Sequence, residues 1–471
     1  MAKIKKKHLL RIGFEQSDSI KEALLAVQHE SLQRKGRESI LQTLQVVLQD
    51  PEAFLNHQIL APVAKQLVPD AHTDNPDAPI FPELRTEPVP TQIYGGQGIE
   101  RGAREQIEIS AMLPIARATA LMPDAHQGYG LPIGGVLATE GAIIPYAVGV
   151  DIGCRMSLSV FPIKANRLNG SHHAYENMLK AHTTFGAGRG PAEPMQAEVL
   201  EDPLFREIAI VKQLHGKAIK QIGSSGSGNH FVEFGEVEIL DPDNEWGLPT
   251  GTYVGLLSHS GSRGLGAAIA QHYTQIAMDK TRLPKKAKQL AWLDLASSAG
   301  AEYWEAMNLA GRYASACHDH IHRRISRDLG EKPLFKVENH HNFAWKERLA
   351  DGTEVLVHRK GATPAAKGEL GMIPGSMTAP GFIVRGKGNP QSLGSASHGA
   401  GRLMSRSRAK QSITKHQMRK ILKEHRVTLI GGAVDEAPIA YKDIHQVMAA
   451  QRDLVDVIGM FQPRIVRMAT E

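Results

Sequence analysis

The chain has 471 residues, of which 42% are hydrophobic and 22% charged, and its formal net charge is +6. This is the composition of an ordinary soluble protein that can bury a large core, in one large domain or two fused ones. The two cysteines exclude a disulfide framework. No apolar run approaches the ~20 residues that span a bilayer, and the basic start lacks the apolar core of a secretory leader. We therefore expect a cytoplasmic protein with no membrane partner, whose mild basic excess suits a polyanion.

The organisation of the chain changes twice along its length. Residues 1–68 place apolar residues at helical spacing and carry no chemical motif, which predicts a helical N-terminal appendage. Six prolines lie between Pro69 and Pro90, so residues 69–91 are predicted to be a linker. Residues 92–471 contain every chemical motif and are predicted to form the catalytic domain.

The stretch Asp151-Ile152-Gly153-Cys154 follows an apolar segment in a glycine-rich part of the chain. It places a carboxylate and a thiol three residues apart in a predicted loop. A cysteine thiolate in a reducing compartment can bind metal. A lone buried cysteine is more often a small hydrophobe, so the interpretation depends on partners elsewhere in the chain.

Histidines in other loops supply those partners. His230 begins a predicted strand, His259 follows another one, and His341 lies in a further polar loop. One carboxylate, one thiolate and two or three histidines match the ligands of a two-metal site, in which sulfur could bridge both ions. These ligand types leave Mn, Zn and Fe(II) open. Arg263, near the predicted start of a helix, also offers a phosphate site.

His398 has different surroundings from the other histidines. It stands between Ser397 and the run Gly399-Ala400-Gly401, among small residues with exposed backbone NH groups. This arrangement favours a nucleophile that approaches a phosphate over a packed metal ligand.

A further pair, His318 and His322, has the i,i+4 spacing of a zinc site on a predicted helix. The residues around them do not follow the zinc-protease or histidine-triad patterns, so we expect a solvated basic helix with Cys317 in the core. Towards the C terminus we expect a helix over residues 441–459 and a short strand over residues 464–468.

Eight short polar or glycine-rich blocks follow one another along the chain. In chain order they are Pro-Asp-Ala-His-Gln-Gly, Asp-Ile-Gly-Cys, Gly-Ser-Gly-Asn-His-Phe, Ser-His-Ser-Gly-Ser-Arg-Gly, His-His-Asn, His-Arg-Lys-Gly-Ala-Thr, Pro-Gly-Ser-Met and Ser-His-Gly-Ala-Gly-Arg. Together they resemble the RtcB family, the GTP-dependent 3'-phosphate RNA ligases of tRNA splicing and RNA repair. The resemblance extends from about residue 92 to residue 468 and implies an α+β fold with a mixed sheet core, surrounding helices and a metal site on converging loops.

The resemblance also implies two Mn(II) ions, GTP as guanylyl donor and a His398–GMP adduct. Cys154 would be shared by both ions, and the metal ligands implied are Asp151, Cys154, His230, His259 and His341. The GMP contacts implied are Asn229, Phe231, Val232, Glu233, Asn342, Pro374, Gly375, Ser376, Met377, Gly399, Ala400 and Gly401. The cations expected to contact phosphates of RNA or of the triphosphate are Arg263, Lys360 and Arg402.

The partner implied by the resemblance is RNA with a 3'-phosphate or 2',3'-cyclic phosphate and a 5'-OH end, with an activating protein as an open question. Two other classes stay open on the residues alone. A dimetal phosphoesterase could remove terminal phosphates without nucleotide, and a binding protein could recognise broken RNA ends without joining them.

Three positions depart from the usual family pattern. Arg155 replaces a glycine, Thr378–Gly381 lack a serine that contacts guanine, and the C terminus lacks a lysine on the base. Glu233 could still accept hydrogen bonds from N1 and N2 of guanine. We therefore expect GTP to remain the preferred donor, with weaker selectivity against ATP.

Overall fold

The computed structural model describes residues 4–14, 17–29, 36–68, 79–193 and 195–470. The chain divides into two compact units, Met1–Ala78 and Pro79–Glu471. The division falls within the proline-rich segment predicted to be a linker, of which residues 69–78 lie outside the described residues. No described helix combines the length and the apolar character needed to cross a membrane.

The smaller unit is helical where it is described. On α3 the apolar residues Ile40, Leu44 and Val47 recur every three or four positions, so they share one face of the helix, and all three are buried. They pack in one cluster with Leu9 and Val63. The helices are α1 (Lys6–Arg11), α2 (Ser17–Ala26), α3 (Arg37–Gln49) and α4 (Ala61–Lys65).

The larger unit is a mixed α/β structure. Its helices are α5 (Arg101–Ala111), α6 (Pro145–Val148), α7 (Arg167–Gly170), α8 (His172–His182), α9 (Leu204–Glu207), α10 (Ala209–Gln221), α11 (Arg263–Lys280), α12 (Ser298–Leu329), α13 (Arg406–Ser412), α14 (Lys415–Glu424) and α15 (Ile444–Ala449). Its strands are β1 (Thr91–Ile93), β2 (Ala116–Tyr129), β3 (Leu131–Thr139), β4 (Ala142–Ile143), β5 (Arg155–Lys164), β6 (Phe231–Ile239), β7 (Gly251–Ser260), β8 (Leu293–Asp294), β9 (Phe335–His340), β10 (Asn342–Arg348), β11 (Glu354–Lys360), β12 (Ala362–Pro364), β13 (Leu370–Ile373), β14 (Gly381–Gly386), β15 (Ser395–Ser397), β16 (Thr428–Gly432) and β17 (Val455–Thr470).

Two large sheets organise this unit. Within the described residues, five strands form a sheet in the order β1-β2-β3-β11-β10. An eight-stranded sheet, again counted over the described residues, follows the order β13-β14-β17-β6-β7-β5-β9, with β16 beside β17. Short strands β12 and β15 pair with each other and lead into the segment that holds His398.

The expectation of a helix over residues 441–459 is wrong. The helix α15 covers Ile444–Ala449, and from Val455 the chain forms β17, a 16-residue strand between β14 and β6. The β-branched residues Val455, Val457 and Ile458 favour an extended backbone, and pairing with two neighbouring strands adds to that preference. The short strand expected over residues 464–468 is therefore the last part of a long central strand.

The expectation of a solvated helix at His318 and His322 is also wrong, because α12 buries both. Ser258 Oγ lies 2.6 Å from His318 Nδ1 and 2.7 Å from His322 Nε2. His318 Nε2 is 3.2 Å from the carbonyl oxygen of Ser260, which can only accept, so that nitrogen carries the proton. Ser159 on β5 lies 2.7 Å from His322 Nδ1, so serines on β5 and β7 give the two histidines partners inside the core. Cys317 is buried, as expected.

Replacing His318 by leucine should lower the free energy of unfolding by about 2 to 4 kcal/mol, because the Ser258 hydroxyl and the Ser260 carbonyl lose a buried partner. Urea denaturation of the full chain measures this. The control is His173→Leu, at a histidine whose side chain is 93% exposed, and it should change stability by less than about 0.5 kcal/mol. Equal effects of the two substitutions would contradict the buried network.

Candidate metal and nucleotide site

The register of four antiparallel strands gathers residues that are far apart in the sequence. The order β6-β7-β5-β9 places the start of one strand beside the end of the next. Phe231 pairs with His259, and Arg155 pairs with both Ser260 and His340. The same end of the sheet therefore holds His259 and three residues next to these pairs, namely Cys154, His230 and His341.

Their side chains form a continuous buried cluster with Asp151. The Cys154 Sγ lies 3.5 Å from His230 Nε2 and 3.2 Å from His259 Nε2. On one side Asp151 Oδ2 is 3.0 Å from His230 Nε2, and on the other His341 Nε2 is 3.2 Å from His259 Nε2. The ligand atoms of Cys154, His230 and His259 all lie within 4.8 Å of one another. The structure thus brings together the five residues expected to bind metal.

Burial keeps the histidines of the cluster neutral. Burial lowers the pKa of His259 to about 3 and holds that of His341 well below its usual value. The carbonyl oxygen of Asn229 lies 3.1 Å from His259 Nδ1, so the proton resides there and Nε2 is free to act as a ligand. Among the described residues, His341 Nδ1 is buried without a hydrogen-bond partner.

The Cys154 thiol and the Asp151 carboxylate need a neighbouring cation if both are to be ionised. Burial and the neighbouring Asp151 raise the pKa of the Cys154 thiol well above its usual value, so a thiolate there requires added positive charge. Burial alone would raise the pKa of Asp151, but His230 and Arg263 lower it below its usual value. Nitrogen, sulfur and carboxylate donors in this proximity fit a transition-metal cation. Arg263, expected to contact phosphates, lies with its Nη2 2.8 Å from His230 Nδ1.

His398 adjoins the cluster and is held by a buried carboxylate. Its ring centre is 4.9 Å from that of His341, and its Nδ1 is 2.6 Å from Asp124 Oδ2. The same oxygen accepts hydrogen bonds from the backbone NH groups of His398 and Gly399, at 3.1 and 3.3 Å. With the proton held on Nδ1, the Nε2 of His398 carries the lone pair that a nucleophile needs.

Sequence reasoning missed Asp124, although it lies within the Pro-Asp-Ala-His-Gln-Gly block. Its partner His398 is 274 positions away, and no local pattern indicates that pairing. Asp124 is fully buried in an irregular part of β2, where the register against β3 shifts between Leu121 and His126. A buried acid in such a block could have been treated as a candidate to orient a histidine.

A cavity of about 310 Å³ opens beside His398 and the cluster. Ten of the twelve residues expected to contact GMP line it, namely Asn229, Phe231, Glu233, Pro374, Gly375, Ser376, Met377, Gly399, Ala400 and Gly401. Val232 points to the other face of β6, into an apolar core, because alternate residues of a strand face opposite sides. Asn342 instead supports the loop that contains Asp151 and Cys154. Its Nδ2 lies 3.3 Å from the Asp151 carbonyl oxygen.

The cations expected near phosphates have different surroundings. Arg402 lines the cavity. Lys360 lies deeper, with its Nζ 2.5 Å from the carbonyl oxygen of Tyr129 and 4.9 Å from the centre of the Tyr146 ring. Burial lowers the pKa of Lys360 to about 7. Arg155, which replaces the usual glycine, pairs with Glu338 and takes no part in the cluster.

The wall of the cavity around Glu233 is largely apolar. Glu233 is 4% exposed, and burial raises the pKa of its carboxyl well above the usual range. The cavity-facing residues of β17 include Val466 and Met468. Arg467, between them, lies on the opposite face, donates to the Leu179 carbonyl and stacks over a phenylalanine ring. Within the described residues, no cation forms an ion pair with Glu233.

The fold and site define a mixed α/β protein with a metal-type donor cluster beside a nucleophile-like histidine and a cavity suited to a small ligand. The sequence profile of the family described as tRNA-splicing ligase RtcB matches residues 106–213 and 206–469. The RNA-splicing ligase RtcB of Escherichia coli K12 is 34% identical over 405 residues, which cover 80% of this chain and 96% of that protein.

Two further relatives come from distant organisms. The RNA-splicing ligase RtcB of Mycobacterium tuberculosis is 32% identical over 410 residues, covering 73% of this chain and 94% of that protein. The tRNA-splicing ligase RtcB of Thermococcus kodakarensis is 30% identical over 454 residues, covering 80% and 94%. The chain belongs to the RtcB family.

Replacing Cys154 by alanine or serine should weaken Mn(II) binding at least about tenfold, because the cluster loses its sulfur donor. Calorimetric titration measures the affinity, and the rise in Tm on adding Mn(II) gives a second readout. The matched control is Cys317→Ala, at a buried cysteine outside the cluster, which should keep the Mn(II)-dependent rise in Tm. Unchanged Mn(II) affinity in Cys154→Ala would contradict a metal site built on this sulfur.

Proposed function

We propose that the chain is an RNA ligase that joins an RNA 3'-phosphate or 2',3'-cyclic phosphate end to a 5'-OH end, in RNA repair or tRNA splicing, with GTP and Mn(II). The single observation that carries the chemistry is the Asp124–His398 pair at 2.6 Å, beside the donor cluster and facing the cavity. A phosphomonoester and an alcohol do not condense without a leaving group. A nucleophilic histidine that accepts a nucleotidyl group can supply that leaving group.

In the proposed reaction His398 Nε2 attacks the α-phosphorus of GTP, and pyrophosphate leaves as the nitrogen–phosphorus bond forms. The RNA 3'-phosphate then takes the GMP from His398, which restores the imidazole. A 5'-OH attacks the activated 3'-phosphate, loses its proton, and releases GMP as the phosphodiester forms. A 2',3'-cyclic phosphate is first opened by water to a 3'-phosphate. Throughout, Asp124 keeps the proton on Nδ1 and stabilises positive charge on the ring.

The residues of the cluster suit two bound cations in this reaction. Cys154, His230 and His259 would hold one, and Asp151 and His341 would complete a second site that shares the sulfur. Bound there, Mn(II) would supply Lewis-acid charge that neutralises phosphate oxygens. The neutral imidazoles can bind a cation without losing a proton, whereas the Cys154 thiol must lose its proton, so cation binding at this cluster should release a proton.

Incubation with α-labelled GTP and Mn(II) should label His398 covalently, and His398→Ala should take up no label. Label on His398 distinguishes a ligase from a dimetal phosphoesterase and from an RNA-end binding protein, neither of which needs a nucleotidyl-histidine. Absence of label from any nucleotide in the native protein would favour the phosphoesterase. Asp124→Asn should slow labelling by roughly a hundredfold or more, because the amide can present its NH₂ group to Nδ1 and reverse the tautomer, while Mn(II) affinity stays unchanged.

The nucleotide donor should be GTP, with weaker selectivity against ATP than relatives that carry both the serine and the terminal lysine. Each missing polar partner reduces discrimination by about 1 to 3 kcal/mol. Glu233 would keep a preference for guanine through N1 and N2, although its carboxyl is buried and forms no ion pair with a cation among the described residues. Rates of His398 labelling with GTP, ATP and deoxy-GTP over a concentration series measure this. A preference for ATP would contradict the guanosine assignment, and complete exclusion of ATP would show that other residues read the base.

A further inference from the structure

The positive charge of the chain is concentrated in one short segment. Residues 402–426 contain nine arginines and lysines and one glutamate. The whole chain contains 55 basic and 49 acidic residues, so the remainder has 46 basic and 48 acidic ones. The basic character noted from the composition therefore belongs to this segment and not to the molecule as a whole.

The fold turns most of these cations outward. The helices α13 and α14 are anchored on the larger unit by apolar residues on their inner faces, among them Ala409, Met418 and Leu422. The remaining face is exposed and carries no large apolar side chain. We call the exposed cations of this face the basic surface, which consists of Arg408, Lys415, Arg419, Lys420, Lys423 and Arg426.

The cations of the basic surface lack carboxylate partners. Within the described residues, none of the six has a carboxylate oxygen within 4.0 Å. Arg406, at the start of α13, differs because it pairs with Asp435 and Glu436. Lys415, Arg419 and Lys423 follow each other at i,i+4 spacing, so they repel one another along one stripe of α14. A polyanion bound along the stripe would relieve that repulsion.

The basic surface is continuous with the catalytic cavity. Arg406 lines both the cavity beside His398 and a second cavity of about 200 Å³, which Lys410 also lines. From these two residues the chain continues directly into α14, which is about 15 Å long at 1.5 Å per residue. A strand whose end reacts at His398 can therefore run over α13 and reach the stripe.

We propose that the basic surface binds backbone phosphates of the RNA strand whose end enters the cavity, an inference that rests on the proposed ligase function. Positive charges at regular spacing, on a helix face without exposed large apolar side chains, suit phosphates better than an acidic protein, whose interfaces bury apolar anchors. The same absence of exposed apolar residues argues against a membrane surface. Binding of this kind is independent of sequence and depends on salt.

The test is the triple variant Lys415→Gln, Arg419→Gln and Lys423→Gln, which keeps good helix formers on α14. Its affinity for a single-stranded RNA with a 3'-phosphate should fall roughly tenfold to a hundredfold at 0.1 M salt, and the slope of log Kd against log salt should decrease by about 2. Fluorescence anisotropy at several salt concentrations measures both. Labelling of His398 by GTP without RNA should be unchanged in this variant. Native RNA affinity in the variant would contradict the basic surface alone, whereas absence of His398 labelling in the native chain would contradict the ligase proposal.

Two matched variants complete the experiment. Lys415→Arg, Arg419→Lys and Lys423→Arg keeps all three charges and should bind RNA like the native chain. Arg323→Gln, Arg327→Gln and Lys332→Gln removes three charges from another part of the larger unit and should also leave affinity and salt slope unchanged. The proposal is overturned if the α14 triple variant binds RNA with native affinity and slope, or if both charge-removing variants lose affinity equally.

Discussion

The antiparallel register of β6, β7, β5 and β9 is the constraint on which the candidate site depends. A shift of one residue between β5 and β7 would turn alternate side chains to the opposite face of the sheet and separate Cys154 from His259. The register is held by apolar residues on both faces, with Leu158 and Leu257 in one core and Val254 and Leu256 in another. The core of the sheet and the geometry of the site are therefore fixed by the same pairing.

The cluster shows how burial prepares a site for a cation. Desolvation keeps the histidines neutral and opposes ionisation of the Cys154 thiol, while Asp151 remains anionic beside His230. Such a set of donors is costly to bury without positive charge, and a bound cation offsets this cost. Asp124 acts on His398 and not on the cluster. Its carboxylate accepts a hydrogen bond from Nδ1 and so fixes one tautomer of His398. In the proposed reaction, metal binding and nucleophile orientation would thus rely on separate acids.

The buried and the exposed cations of the larger unit differ in whether they have carboxylate partners. Buried arginines of the larger unit, such as Arg155 and Arg359, are paired with carboxylates and hold neighbouring strands and helices together. Among the described residues, six exposed cations without a carboxylate partner lie together on the basic surface, outside the core. Because a solvated lysine or arginine costs little in a monomer, the clustering on α13 and α14 is better explained by a polyanionic ligand than by stability.

The sequence by itself determined the family and singled out the five residues of the donor cluster and His398, because these side chains occur in short glycine-rich blocks whose order is distinctive. It also predicted a strand directly after His230 and another directly before His259; the first is β6, and the second is β7, which extends to Ser260 and includes His259. Only the tertiary structure decided which residues meet. It paired Asp124 with His398 across 274 positions, and it buried His318 and His322 on a helix that local composition predicted to be solvated. A local sequence pattern indicates the propensity of a segment and the spacing of its residues. Burial, strand register and long-range hydrogen bonds arise only when distant segments pack together.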